Sequence, residues 1–315
     1  MPKVKKALPA ERQKNMVRVK KPQIWCYFSI PIYWRTAGGD FVLLKEPGEY
    51  LRDRLGSDMT LPEELFVLKR DKVEAIPEVQ TALNAELEKV IVGQDVERAK
   101  NLITDIVEET FSEPRAANMV PLKNTVKTVV AGYAGRKEAL RRLALMGSKD
   151  YSIVIHAVNV SALVLGYCAH RGMAPDISAD LGLAGLLHDV GKLFVDNDIL
   201  SAQRKLTPEE FAKVREHPLL GHRFLQGAHF PPEVLEACLQ HHERIDGNGY
   251  PKGSTLPSFA GQLVGIIDCY EALTSDERHY REALDPLPTL EILKKEMLSG
   301  KFDRQLFRDF AYSLV

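Results

Sequence analysis

A chain of 315 residues leaves room for about two domains and a substantial core. With 45% hydrophobic and 27% charged residues its composition is that of a globular protein, and a net charge of −1 argues against bulk binding to nucleic acid, leaving only a local patch. The four cysteines, Cys26, Cys168, Cys238 and Cys269, form no CxxC pair and read as reduced, mostly buried thiols.

Residues 1–21 form a basic leader, read as flexible and solvated rather than as a nucleic-acid arm. The apolar run IWCYFSIPIYW follows. A signal peptide wants a Leu/Ala-like helix and a small-residue cleavage site, whereas Pro31 interrupts this run and its aromatic and β-branched residues suit a strand. No other stretch approaches the length needed to span a bilayer, so a cytoplasmic protein without a membrane span is expected. Residues 23–35, 41–45 and 64–69 predict short strands, divided by the Gly38-Gly39-Asp40 turn and by GEYLRDRLGSDM, which has room for a short helix. Residues 22–76 therefore read as a small α+β module.

From Pro77 the pattern turns helical. VQTALNAELEKVI and ERAKNLITDIVEETF carry apolar residues at spacings of three and four, so residues 77–118 read as a helical linker. Beyond residue 119 helices are expected at 122–146, 149–170, 177–194, 218–226, 231–243, 258–274, 288–299 and 303–314. A further short helix starts at Thr207, with Pro208 at its first position and Glu210 completing a capping box. The fold class is mainly α, with residues 119–315 as an all-α domain behind the small N-terminal module.

Polar residues then appear where apolar ones belong. His156 lies inside YSIVIHAVNVSALVLGY, and alone it would read as a satisfied core histidine. LAGLLHDVGK places His188 and Asp189 at the end of a second apolar helix. Burying an unpaired carboxylate is expensive, so Asp189 needs a cation or a metal. Lys192, three residues on, supplies an ion pair for Asp189 but leaves His188 unexplained. His217 precedes Pro218, His241 and His242 close ACLQHH, and Asp268 sits within LVGIIDCYEAL.

Seven ligand-type residues on five segments point to metal. Imidazole and carboxylate without thiolate suit iron, manganese or zinc and exclude a Cys-rich structural zinc site. Seven ligands are too many for one tetrahedral ion but suit two ions sharing a carboxylate. Such a pair can hold a hydroxide, lower the pKa of water and neutralise a phosphate. Lys192, Arg278 and Arg281 would hold non-bridging oxygens, and phosphoester hydrolysis is the chemistry to expect.

From about residue 146 to the end the chain resembles the HD-GYP domain, a bacterial branch of the HD metal-dependent phosphohydrolases. His156, HDVGK, HPLLG, the helix with Asp268 and above all HHERIDGNGYP carry the resemblance. It implies an all-α fold with an iron or manganese centre, and hydrolysis of cyclic di-GMP to pGpG or onward to GMP. By position, His156, His188, Asp189 and Asp268 resemble the ligands of one ion. Asp189 would bridge to a second ion held by His217, His241 and His242, and Lys192 would contact the scissile phosphate. Gly249, Tyr250 and Pro251 would form the loop beside the site. That loop and the N-terminal module, which looks similar to small domains preceding HD-GYP domains, are the surfaces expected to meet a protein partner.

The chain also departs from the family pattern. Ser152 stands where three-metal members carry a Glu, Glu271 where an Asp is usual, and DERHYR replaces DRPYR, which unsettles the register of Arg278 and Arg281. Val195-Asp196-Asn197 and Ala202-Gln203-Arg204 replace Ile-Pro-Asp and Lys-Pro-Gly. These changes keep two other readings open: a slowly acting cyclic di-GMP receptor, and a phosphohydrolase for another nucleotide. With only a hydroxyl at Ser152, two divalent ions, iron or manganese, are expected. Elemental analysis of the purified protein should return two ions per chain, and a third well-occupied site in anomalous diffraction would overturn that count.

Overall fold

The computed structural model describes residues 8–9, 13–20, 23–54, 61–146, 152–275 and 283–314. Arg278 and Arg281 fall outside this set. Four antiparallel strands open the chain: β1 (Met16–Val19), β2 (Ile32–Arg35), β3 (Phe41–Lys45) and β4 (Leu65–Leu68), in the order β1-β4-β2-β3. Two expectations need correction here. Part of the supposed flexible leader is a strand, since Met16–Val19 pairs along Leu65–Leu68; the flanking lysines hide its short apolar alternation. Residues 23–35 are not one strand either. Gln23–Trp25 is a 3-10 turn, and the strand starts only at Ile32, after Pro31, which has no N–H for a ladder.

The helical part begins earlier than Pro77. Helix α1 (Lys69–Val92) follows β4 directly and carries Pro77 inside it. Then come α2 (Val96–Ser112), α3 (Leu122–Gly132), α4 (Lys137–Leu145), α5 (Ile153–His170) and α6 (Pro175–Leu187). The set closes with α7 (Pro208–Val214), α8 (His217–Leu225), α9 (Pro232–Gln240), α10 (Phe259–Thr274), α11 (Pro286–Leu298) and α12 (Arg304–Ser313). The Thr207–Glu210 capping box is present at α7. The segment expected as one helix at 122–146 is two, divided at a turn where Gly135 takes φ +70°.

Helix α5 is the centre of the bundle, with α2, α4, α6, α10 and α12 packed around it. Its length and mean hydropathy of 1.6 are enough to cross a membrane, contrary to the expectation that no stretch would be; 78% of it is buried inside the fold. One continuous apolar core runs from Tyr27 and Val67 in the N-terminal module through Leu87 and Ile106 to Leu186 and Ile267. Polar bonds join the same elements. Tyr27 Oη donates to Glu109 Oε1 of α2 at 2.5 Å, and Gln80 Nε2 of α1 donates to Thr110 Oγ1 of α2 at 2.8 Å.

The linker helix α2 also completes the core of the bundle. Ile103 faces a narrow gap lined by Val126, Val129, Leu143, Val158 and Leu186, from four other helices. Ile103→Ala should therefore destabilise the chain by about 2–4 kcal/mol in urea unfolding, although the residue lies far along the chain from any ligand. A fragment starting near residue 120 should melt at markedly lower temperature than the full chain. Equal stabilities would show that α2 is an appendage.

Candidate metal centre

Five segments deliver the seven ligand-type residues to one point. His156 comes from the middle of α5, His188 and Asp189 from the end of α6, and His217 from the start of α8. His241 and His242 follow α9, and Asp268 lies in α10. They form two groups: Asp189 with His217, His241 and His242, and His156 with His188 and Asp268; within each, one ligand atom per residue lies within 4.8 Å of the rest. All are buried except His242, which is half-buried.

Backbone carbonyls set the imidazoles. The Nδ1 atom of His188 lies 2.7 Å from Gly185 O, that of His217 2.7 Å from Val214 O, and that of His241 2.9 Å from Ala237 O. Each Nδ1 must donate, because a carbonyl can only accept. A neutral ring then leaves Nε2 as a bare lone pair. In His156 the Nδ1 partner is instead the Glu271 carboxylate, at 2.5 Å, with the same result. The bare nitrogens meet in pairs: His217 and His241 Nε2 are 3.2 Å apart, as are those of His156 and His188.

Asp189 sits between the pairs. Its Oδ1 lies 3.1 Å from His217 Nε2 and 3.6 Å from His241 Nε2, while Oδ2 lies 3.5 Å from both His156 and His188 Nε2. Oδ2 also accepts from Lys192 Nζ, so the ion pair expected as the plain alternative exists alongside the cluster. Oδ1 is buried without a donor. Proximity to His217 does not satisfy it, since the proton of that ring is on the other nitrogen.

A proton does not resolve this crowding. Burial pushes His188 down to about 3 and lowers His217 and His242 as well, keeping those three rings neutral. Burial opposes the ionisation of Asp189, but the Lys192 ammonium outweighs it and holds the carboxyl well below the usual range. Lone pairs and carboxylate oxygens facing one another in a buried space fit divalent cations.

The surrounding residues were only partly legible. Glu271, marked in the sequence only as standing where an Asp is usual, is the partner of His156, and its other oxygen accepts from Asn159 Nδ2 at 2.9 Å. The available signal was two facing i,i+3 pairs, His156 with Asn159 and Asp268 with Glu271. Glu243 ties down the loop, accepting from the backbone N–H of Lys252 at 2.7 Å and of Ser254 at 2.8 Å. Gly249 permits this fold-back, since a Cβ there would lie 2.4 Å from Arg244 N and 2.5 Å from His242 O. Tyr250 stacks on His242, with centroids 4.5 Å apart and planes at 25°, and the Tyr250–Pro251 peptide bond is cis. Ser152 caps α5, accepting from Ile155 N at 3.2 Å.

A family model described as the HD domain matches residues 132–306. The chain belongs to the HD domain family. HHERIDGNGYP places this HD domain in the HD-GYP branch. Among relatives, a cyclic di-GMP phosphodiesterase of Pseudomonas aeruginosa is 31% identical over 261 residues, covering 80% of this chain and 61% of that protein. A cyclic di-GMP phosphodiesterase of Thermotoga maritima is 37% identical over 49% of this chain and 42% of its own length. A 3'3'-cGAMP-specific phosphodiesterase of Vibrio cholerae is 32% identical over 48% of this chain and 36% of its own. The chain thus spans less than two thirds of each of these relatives. A solved structure of an HDG"Y"P protein from Bdellovibrio bacteriovorus shares the fold at a TM-score of 0.64 and 21% identity, covering 95% of this chain and 99% of that one.

Two predictions arise from this HD domain. Glu271→Ala removes the acceptor that holds His156 Nδ1–H, so affinity for divalent metal should fall about 10–100-fold in a chelator competition. Unchanged affinity would make the contact incidental. The second concerns pH. His188 titrates near 3 when folded against an ordinary 6.5, so the unfolded chain binds more protons between those values. Stability of the metal-free protein should fall as pH drops from 6.5 toward 3, which urea unfolding at pH 7, 5.5 and 4.5 would register.

Proposed function

We propose that the protein is a metal-dependent phosphodiesterase that opens the phosphodiester of cyclic di-GMP, to pGpG or onward to GMP. The observation that carries this reading is the division of Asp189, whose two carboxylate oxygens each face a separate pair of bare imidazole nitrogens. That arrangement suits a carboxylate bridging two divalent ions, iron or manganese. His156, His188 and Asp268 would hold one ion, and His217, His241 and His242 the other. When bound, such ions supply Lewis acidity toward a phosphate and a water acidified toward neutral pKa.

The chain's own residues do the rest. The carbonyl-anchored rings keep their nitrogens aimed inward, so little reorganisation accompanies loading. The buried walls of α5, α6 and α10 exclude water from the far side of the centre and strengthen its electrostatics. Lys192, beside Asp189, places an ammonium at the rim where a non-bridging phosphate oxygen would lie. The Gly249-Tyr250-Pro251 loop borders the same rim through Tyr250. Ser152, engaged as a helix cap and without charge, supports two ions rather than three. The names of the relatives at 31–37% identity favour a cyclic dinucleotide over a mononucleotide.

Asp189→Asn keeps shape but removes charge from the shared ligand, so it should lose metal and at least a thousandfold of the hydrolysis rate. Wild-type protein loaded with Mn²⁺ or Fe²⁺ should convert cyclic di-GMP to pGpG, followed chromatographically beside 3'3'-cGAMP and pGpG. Binding of cyclic di-GMP without turnover would replace this reading with that of a receptor.

A further inference from the structure

Two groups pack on the Tyr250 ring. The His242 ring stacks on it, and the Arg215 guanidinium lies over it as well, with Cζ 4.6 Å from its centroid. Beside the loop, the exposed side chain of this pair of contacts is Arg215.

The backbone of Arg215 is well fixed. It ends α7, its N–H donates to Phe211 O at 2.9 Å, and it stands two residues before His217. Its side chain is exposed, and among the described residues no carboxylate lies within ion-pairing distance of it. Lys192, by contrast, is bonded to Asp189. Arginine rather than lysine suits the position: a planar cation stacks on the phenol while its N–H edges remain free for a bidentate acceptor.

We propose that Arg215, seated on Tyr250, is a substrate-binding residue that holds a phosphate of the dinucleotide outside the metal pair. This rests on the phosphodiesterase reading above. A cyclic dinucleotide carries two phosphates, and the metal centre engages the one that is cleaved. The second needs a cation at the rim, aimed outward and not neutralised by an acid. Arg215 meets those conditions, and the stack limits the side-chain freedom lost on binding.

The test uses the full metal-loaded chain with Arg215→Ala and Arg215→Lys. Hydrolysis of cyclic di-GMP and 3'3'-cGAMP, binding of a phosphorothioate analogue of cyclic di-GMP by calorimetry, and metal content are measured together. Arg215→Ala should raise KM and the analogue's Kd about ten- to a hundredfold, with kcat changed less than threefold and two ions retained. Arg215→Lys should recover part of the affinity, because it keeps the charge and loses the planar fork. A wild type that turns over cyclic dinucleotides beside an Arg215→Ala variant of equal KM and Kd overturns the role of Arg215 alone. Metal loss in that variant overturns it too, because Arg215 would then act only by supporting Tyr250 and His242. A wild type that neither binds nor hydrolyses any cyclic dinucleotide brings down the functional reading, and the role of Arg215 with it.

Discussion

The whole arrangement depends on four imidazole nitrogens that have been denied their protons. Each ring donates from Nδ1 to a fixed acceptor and turns Nε2 toward Asp189, inside a space that admits little water. Without cations this is a costly interior, since lone pairs and carboxylate oxygens repel one another where the dielectric is low. The fold holds that repulsion in place with an apolar frame. Metal binding and native geometry are consequently linked: what fills the centre also stabilises the frame around it.

Helix ends explain how one chain builds such a centre. His188 and His241 stand just past the C-termini of α6 and α9, His217 follows α7 and opens α8, and their acceptors are carbonyls of the last turns of α6, α7 and α9. Each contact fixes the tautomer, and Ala237 O accepts the His241 backbone N–H as well. The partial negative charge at the ends of α6 and α9 favours a cation there. Close backbone approach completes the design. Gly191, two residues after Asp189, packs so near α8 that a Cβ would lie 1.9 Å from His217 O.

Much of this was legible from residue types. A histidine in an apolar helix, an HD pair at another helix end and a doubled histidine before a glycine-rich loop are all out of place in a plain core, and all seven converge as that oddity suggests. The four-residue strand β1 was illegible because Met16–Val19 is too short to show its alternation among lysines, and only pairing with β4 reveals it. The role of Glu271 was hidden because helical spacing gives one helix's face and not what lies opposite; its meaning depends on α5 standing across from α10. The continuity of the core across the linker was hidden for the same reason, since Ile103 belongs to the bundle through contacts with four other helices.

The loop after α9 is held by main-chain amides. Glu243 receives the N–H groups of residues 252 and 254, and Tyr250 N–H donates to His242 O at 3.1 Å. None of these three bonds involves the side chain of Lys252, which is exposed. That position can therefore change while the backbone of the loop, and with it the neighbouring histidines, keeps its place. Tolerance to substitution and rigidity of the centre coexist a few residues apart.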